Sequence, residues 1–280
     1  MSRYTVAEVC AGGGGQALGL QRAGFRHVVL LESDRAACVT LRSNRPSWNV
    51  AEGDVTCAAT WDPARYRGVD LLAGGVPCQP YTVAGRQRGA ADERDLLGWV
   101  TGDLCRVVIP RALLVENVPG LGQSRFAGYR QELLAGLAGQ GYAADWRVLK
   151  SCDFGVPQLR PRFVLVAMRP ADFRYFSWPA GRPGKVLTVG EALQDMMGAG
   201  GWRGAAAWAR QASRAAPTIV GGSSRHGGPD LGPTRAKAAW RELGVDARGI
   251  ADAPPPASAA DDHLPMLTKP HGGAPAVIFE

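Results

Sequence analysis

A single cysteine in a short, proline-flanked loop has the residue type and the setting of a catalytic group. Cys78 stands between Pro77 and Pro80 and follows the apolar run Val69 to Ala73, which leads into two glycines. A strand that ends in a sharp glycine turn would hold the thiol at the carboxyl edge of a sheet, where open α/β sheets bind ligands. Taken alone, a lone cysteine is more often a small buried hydrophobic residue. We interpret Cys78 as a nucleophile because the other motifs of the chain support that choice.

A glycine-rich turn near the N-terminus predicts a nucleotide-type site. Tyr4 to Val9 form a strand-like run, Ala11 to Gly15 interrupt it, and Gln16 to Ala23 have a helical pattern. A glycine turn that opens a helix favours nucleotide-like ligands. The spacing differs from G-x-G-x-x-G, and nothing in the chain is typical of hydride chemistry.

Acidic residues end two of the predicted strands. Glu32 follows the strand Val28 to Leu31, where a carboxylate can accept both hydroxyls of a ribose. The alternative is a surface charge that caps the next helix, and we favour that role for Asp34. Glu116 ends the strand Ala112 to Val115 and should lie on a strand end next to that of Cys78.

An alternating polar segment precedes the last predicted strand of this region, Phe163 to Met168. Gln158, Arg160 and Arg162 would share one face of an extended chain and point towards one site. Exposed basic alternation is the alternative interpretation.

Charge and composition favour a polyanionic partner. The 280 residues carry a net charge of +7, and 46% of them are hydrophobic, as in a globular protein. Only four of the 32 basic residues are lysines, and arginine favours phosphate and guanine contacts. Abundant Ala, Gly, Arg and Pro are equally typical of a GC-rich genome, so charge alone does not decide.

Cysteine spacing and hydropathy indicate a cytoplasmic protein. The six cysteines form no CxxC pair, which argues against a zinc site and a disulfide framework. No run of 18 apolar residues appears, and the N-terminus leads directly into a strand rather than a signal sequence.

Four motifs in order resemble the cytosine-C5 DNA methyltransferase family. They are the glycine turn in Glu8–Gly15, the Pro77-Cys78-Gln79 loop, Glu116-Asn117-Val118 and Gln158–Arg162. The resemblance implies an α/β fold with a Rossmann-like, S-adenosylmethionine-dependent methyltransferase sheet and helices on both faces. A smaller, irregular and incomplete target-recognition region should follow, so we expect one domain over 1–170 and a second over 171–280.

The resemblance also implies roles for individual residues. Cys78 would attack cytosine, Glu116 would hydrogen-bond the base, and Arg162, helped by Arg160, would hold its 2-carbonyl. S-adenosylmethionine would lie over the glycine turn, with Asp54 near the adenine amino group; the expected cofactor residues are Cys10, Ala11, Gly12, Gly13, Gly15, Glu32, Ser33, Asp54 and Pro77. The expected contacts to double-stranded DNA come from Gln79, Arg86, Arg88, Gln158, Arg225 and Arg235.

The chain departs from the family pattern in three places. Cys10 stands where the family usually has Phe, and Thr82 stands where it usually has Ser. After Leu264–Thr268 the closing motifs of the family are missing, so we expect a truncated or frameshifted chain, or half of a split enzyme that needs a second polypeptide. We expect a DNA methyltransferase of a bacterial restriction-modification or related system. The alternatives are an RNA cytosine methyltransferase and a non-catalytic DNA-binding subunit.

Overall fold

A parallel-rich β-sheet organises the N-terminal part of the chain. The computed structural model describes residues 4–77, 95–182, 184, 186–219 and 231–267. Within these ranges the sheet has seven strands in the order β3-β2-β1-β4-β5-β7-β6. The strands are β1 (Tyr4–Val9), β2 (Phe25–Glu32), β3 (Val50–Glu52), β4 (Leu71–Gly75), β5 (Ala112–Asn117), β6 (Ala143–Lys150) and β7 (Pro161–Met168).

The sheet has the topology of a doubly wound fold with one reversed strand. The pairs β1–β2, β1–β4, β2–β3 and β4–β5 are parallel, whereas β7 runs antiparallel to β5. The chain winds outward from β1 to β3 and then returns to β4, so the strand order switches between β1 and β4. Ligands of open α/β sheets bind outside the carboxyl ends of the strands at such a point. The predicted α/β fold is confirmed.

Short helices connect and cover the strands. In the described ranges they are α1 (Gly15–Arg22), α2 (Arg35–Asn44), α3 (Leu96–Trp99), α4 (Cys105–Val108), α5 (Ala127–Gly139), α6 (Pro170–Phe173), α7 (Val189–Gly198), α8 (Ala205–Gln211) and α9 (Thr234–Arg241). A π-helical turn, Val100–Leu104, joins α3 to α4. As predicted, Asp34 caps α2, because its Oδ1 accepts the Ala37 N–H at 2.8 Å. No helix in the described ranges is long and apolar enough to cross a membrane.

The central strands are buried along most of their length. In β1, Val6, Ala7 and Val9 have no exposed surface, and in β4 the same holds for Leu72 and Ala73. Parallel strands that are covered on both faces need apolar side chains at successive positions. This explains why the sequence shows apolar runs here instead of a strict alternation.

The described chain forms two compact units. The first contains the described residues up to Val148 and Arg162–Trp178, and therefore most of the sheet. The second contains Leu149–Pro161 and the described residues from Pro179 onward.

A core of tryptophans and three helices builds the second unit. Helix α7 begins with a capping box, in which the Glu191 N–H donates to Thr188 Oγ1 (3.1 Å) and the Thr188 N–H donates to Glu191 Oε2 (2.9 Å). The large buried side chains of this core are Trp202, Trp208, Trp240, Leu231, Leu243 and Met197. The Thr-x-x-Glu pattern predicts the start of this helix, although the many prolines of the region argue against long helices.

Replacement of Gly190 by alanine should destabilise the second unit. A Cβ atom at Gly190 would lie 1.9 Å from the carbonyl oxygen of Ala209 in α8, so the backbones of α7 and α8 would have to separate. We expect a loss of about 3 kcal/mol in the free energy of unfolding, measured by urea denaturation with tryptophan fluorescence. Gly198→Ala is the control, because its Cβ would make an ordinary 3.5 Å contact with Ala205. Equal stability of the two variants would contradict this packing.

Candidate active site

The carboxyl ends of five parallel strands meet at one edge of the sheet. The register pairs Val9 of β1 with Leu31 of β2 and with Gly74 of β4. It also pairs Gly75 of β4 with Glu116 of β5. The residues that sequence reasoning singled out at strand ends therefore share this edge, apart from those outside the described ranges.

The glycine turn after β1 has an open, left-handed backbone. Cys10, Gly12 and Gly14 have φ angles of 53°, 56° and 92°. The turn is closed by the Ala11 N–H, which donates to Leu31 O, and by the Gly14 N–H, which donates to Ala11 O, both at 3.0 Å. Among the residues that the structure describes, a Cβ atom at Gly12 would have no neighbour within 4 Å. The backbone thus borders space that a ligand can enter.

The carboxylate of Glu32 is tied to this turn by three backbone donors. Its Oε2 accepts the Gly12 N–H at 2.7 Å, and its Oε1 accepts the N–H groups of Ser33 and Asp34 at 2.8 Å each. A carboxylate offers about four lone-pair positions, so Glu32 retains capacity for further donors. The contacts hold the side chain in one orientation beside the glycine turn.

Asp54 is held next to Glu32 by a glycine turn of its own. The Gly53 N–H donates to Glu32 O at 2.9 Å, and the φ of Gly53 is 147°. The backbone N–H and the hydroxyl of Thr56 both donate to Asp54 Oδ1 at 2.8 Å. These hydrogen bonds lower the pKa of Asp54, so its exposed side chain is an ionised acceptor at neutral pH.

The thiol of Cys10 lies in the electrostatic field of both acids. Burial, followed by the charges of Glu32 and Asp54, raises its pKa to about 12. Burial also raises the pKa of the thiols of Cys38, Cys105 and Cys152. These four cysteines are therefore protonated at neutral pH and poorly suited to nucleophilic attack.

Glu116 forms an ion pair at the end of β5. Its Oε1 lies 2.5 Å from Nε of Arg162 on β7, and both side chains are partly exposed. Antiparallel pairing of β5 with β7 brings the two together, because it sets Glu116 opposite Val164. An acid and a guanidinium thus meet directly beside Gly75.

Gln16, at the start of α1, is a site residue that sequence reasoning missed. A Cβ atom at Gly75 would lie 3.5 Å from Gln16 Oε1, 3.6 Å from Glu116 Oε2 and 3.7 Å from the Cys10 carbonyl oxygen. The Nε2 of Gln16 is buried and has no hydrogen-bond partner among the described residues. The sequence feature that could have indicated this role is the position of Gln16, a polar residue directly after the glycine turn.

Gln158 and Arg160 belong to the second unit, whereas Arg162 belongs to the first. The expected extended alternation does not hold at Arg160, whose φ is 26°. Gln158 and Arg160 contact the backbone of Ile219 instead of sharing a strand face with Arg162. Arg235 lies exposed near the start of α9.

Several expected site residues lie outside the described residues. These are Cys78, Gln79, Arg86, Arg88 and Arg225. Pro77 is the last described residue before Cys78, and it is exposed just beyond the end of β4.

The chain resembles known proteins over most of its length. Residues 4–222 match the family described as C-5 cytosine-specific DNA methylase. Type II methyltransferase M.NaeI of Lentzea aerocolonigenes is 58% identical over 255 residues, which cover 91% of this chain and 61% of that protein. Type II methyltransferase M.NgoMIV of Neisseria gonorrhoeae is 46% identical over 218 residues, which cover 78% of this chain and 69% of that protein. The chain thus spans less than two thirds of the length of M.NaeI.

A solved structure shares the fold. A putative prophage-encoded DNA modification methyltransferase from E. coli superimposes with a TM-score of 0.53 at 24% identity. The match covers 68% of this chain and 54% of that one, and it supports the fold alone. On the strength of the family match and the two curated relatives, the chain belongs to the C-5 cytosine-specific DNA methylase family.

Proposed function

We propose that this chain transfers a methyl group from S-adenosylmethionine to C5 of cytosine in double-stranded DNA, as the modification enzyme of a restriction-modification system. The observation that carries the proposal is the single sheet edge at which the glycine turn, Glu32 and the Glu116–Arg162 ion pair meet. The names of M.NaeI and M.NgoMIV, both Type II methyltransferases, support the restriction-modification context.

The residues at this edge fit S-adenosylmethionine. Glu32 is a fixed acceptor for the ribose hydroxyls, and Asp54 is an ionised acceptor for the adenine amino group. Gln16 Nε2 has no hydrogen-bond partner among the described residues and supplies a buried donor beside Gly75. Ala11, Gly13, Gly15, Ser33 and Pro77 complete the proposed pocket. When bound there, S-adenosylmethionine supplies an electrophilic methyl group.

Cytosine C5 is a weak nucleophile, so the chain must activate the base. The thiolate of Cys78 adds to C6, and the electron pair of the C5–C6 double bond makes C5 nucleophilic towards the methyl group. Glu116 hydrogen-bonds ring N3 and the exocyclic amine, and Arg162 holds the 2-carbonyl, where negative charge develops. A base then removes the C5 proton, and the C6–S bond breaks to release Cys78. The cytosine must be flipped out of the duplex to reach these groups.

Contacts to the DNA backbone are proposed for the basic residues of the loops and of α9. Arg86, Arg88, Arg225 and Arg235 suit phosphates, and Gln79 follows the nucleophile directly. A DNA substrate agrees with the cytoplasmic location expected from the sequence.

One experiment distinguishes this proposal from two other assignments. RNA and DNA methylation of cytosine C5 need the same chemistry and differ in recognition. The second assignment is a non-catalytic DNA-binding subunit that works with a second polypeptide. Transfer of label from S-adenosylmethionine should be measured on duplex DNA and on tRNA, with and without the product of the adjacent reading frame. Labelling of DNA supports the proposal, whereas labelling of tRNA alone overturns it.

Removal of the Glu32 carboxylate should weaken cofactor binding. Glu32→Ala deletes the acceptor for the ribose hydroxyls and releases the Gly12 N–H, so the dissociation constant should rise about 10- to 100-fold. Asp54→Ala should also weaken binding. Isothermal titration calorimetry measures both, with Asp34→Asn as control because asparagine keeps the α2 cap. Unchanged affinity in both alanine variants would mean that the turn serves another ligand.

A further inference from the structure

Two segments of the second unit are joined by a short ladder of hydrogen bonds. The Ala216 N–H donates to Pro157 O at 2.8 Å, and the Leu159 N–H donates to Ala216 O at 2.9 Å. The ladder continues through side chains at Ile219: its N–H donates to Gln158 Oε1 at 3.2 Å, and its carbonyl accepts from Arg160 Nη1 at 3.4 Å. The side chains of Gln158 and Arg160 thus hydrogen-bond the backbone N–H and the carbonyl oxygen of Ile219.

Apolar packing also holds this segment, because Ala216 is only 4% exposed and Ile219 packs against the core of the second unit. A cavity of about 440 Å³ opens beside the ladder and is lined by Leu159, Ala215 and Pro217, among others. Leu159 borders this cavity, and the residue is 45% exposed. The hydrogen bonds from Gln158 and Arg160 add to this packing, because they fix the orientation of the Ile219 backbone.

The backbone of Arg160 is bent to reach Ile219. Its φ of 26° lies in the left-handed region, which a residue other than glycine adopts only when its surroundings enforce it. Ser151 supplies that constraint, because its N–H donates to Leu159 O at 3.1 Å and its hydroxyl donates to Arg160 O at 3.3 Å. A bend held in this way turns the guanidinium away from the strand face that an extended chain would give it.

We propose that Gln158 and Arg160 are positioning residues that hold the backbone of Ile219, and that they act on DNA recognition through this backbone rather than by contacting DNA. Ile219 directly precedes the stretch in which sequence reasoning expects the DNA-facing Arg225. The inference rests on the proposed DNA substrate. It predicts that Gln158 is needed as a hydrogen-bond acceptor, whereas a direct contact with phosphate or with adenine would use its amide NH₂ as a donor.

Replacement of Gln158 by glutamate or leucine separates these roles. Gln158→Glu keeps an acceptor for the Ile219 N–H, so the KM for cognate DNA should stay within about three-fold of the wild-type value. Gln158→Leu leaves the Ile219 N–H without its partner, and we expect KM to rise about ten-fold or more with a small change in kcat. An equal loss in both variants would overturn the proposal, because a carboxylate cannot replace an amide donor.

Hydrogen exchange gives a second readout that needs neither DNA nor methyl transfer. The backbone amide of Ile219 should exchange faster in Gln158→Leu than in the wild type or in Gln158→Glu, as measured by mass spectrometry on a peptide that spans it. Equal exchange in all three proteins would overturn the proposal. If the wild type methylates no DNA but the exchange pattern holds, then the proposed function fails and the positioning of Ile219 stands. Should Gln158→Leu fail to fold, Arg160→Leu removes the donor to Ile219 O and carries the same expectation.

Discussion

Replacement of Cys78 by serine should reduce methyl transfer below detection while DNA binding stays measurable. A hydroxyl is far less ionised than a thiol near neutral pH, so serine cannot add to C6 of cytosine at a useful rate. Four of the five described cysteines are poor substitutes, because Cys10, Cys38, Cys105 and Cys152 all have a raised pKa. The measurement is transfer of labelled methyl groups to duplex DNA, together with a mobility-shift assay.

Cys57→Ser is the matched control for this experiment. Cys57 is an exposed free thiol, and its replacement should leave methyl transfer unchanged. DNA that contains 5-fluorocytosine should form a covalent adduct with the wild type and with Cys57→Ser, but not with Cys78→Ser, because fluorine blocks loss of the group at C5. Undiminished transfer by Cys78→Ser would end its assignment as the nucleophile.

Replacement of Glu116 by glutamine should lower kcat about 100- to 1,000-fold with a small effect on cofactor affinity. The carboxylate is held by Arg162 beside Gly75, which precedes Cys78 by three residues in the chain. An amide of nearly the same shape keeps the packing but has no acidic proton to give to ring N3 as negative charge develops on the ring. Single-turnover kinetics on duplex DNA measures the chemical step directly.

Glu52→Gln removes an ion pair at the end of β3, which three strands separate from Glu116 on β5. Glu52 Oε2 lies 2.7 Å from Nη1 of Arg42, and both side chains are exposed. Exposed pairs of this kind contribute about 0–1 kcal/mol, so this variant should keep nearly full activity. If Glu116→Gln were as active as Glu52→Gln, Glu116 would have no part in catalysis.

The sequence alone determined the parallel core and the edge at which the candidate site lies. Strand β1 begins and ends at the predicted residues, and α1 lies within one residue of its predicted range. These elements follow from local signals: an apolar run for a buried strand, a glycine turn to break it, and an acid to cap α2. Because parallel strands point the same way, residues at their carboxyl ends must share one edge.

Only the tertiary structure decided which side chains meet at that edge. Glu116 and Arg162 are far apart in sequence, and antiparallel pairing of β5 with β7 makes them partners. Gln16 reaches the same place because α1 follows β1, and the end of β1 pairs with the end of β4 next to Gly75. No local pattern reports such pairings, since they depend on strand order and register.

Contacts between distant residues also explain why the segment from Gln158 to Arg162 differs from its predicted conformation. A period of two predicts that alternate residues share a face, and this holds only while the backbone stays extended. Hydrogen bonds from Ser151 instead support a left-handed conformation at Arg160, and the side chain turns towards Ile219. Contacts with residues distant in sequence decide whether the backbone is extended or bent here. The periodicity of a sequence carries no information about such contacts.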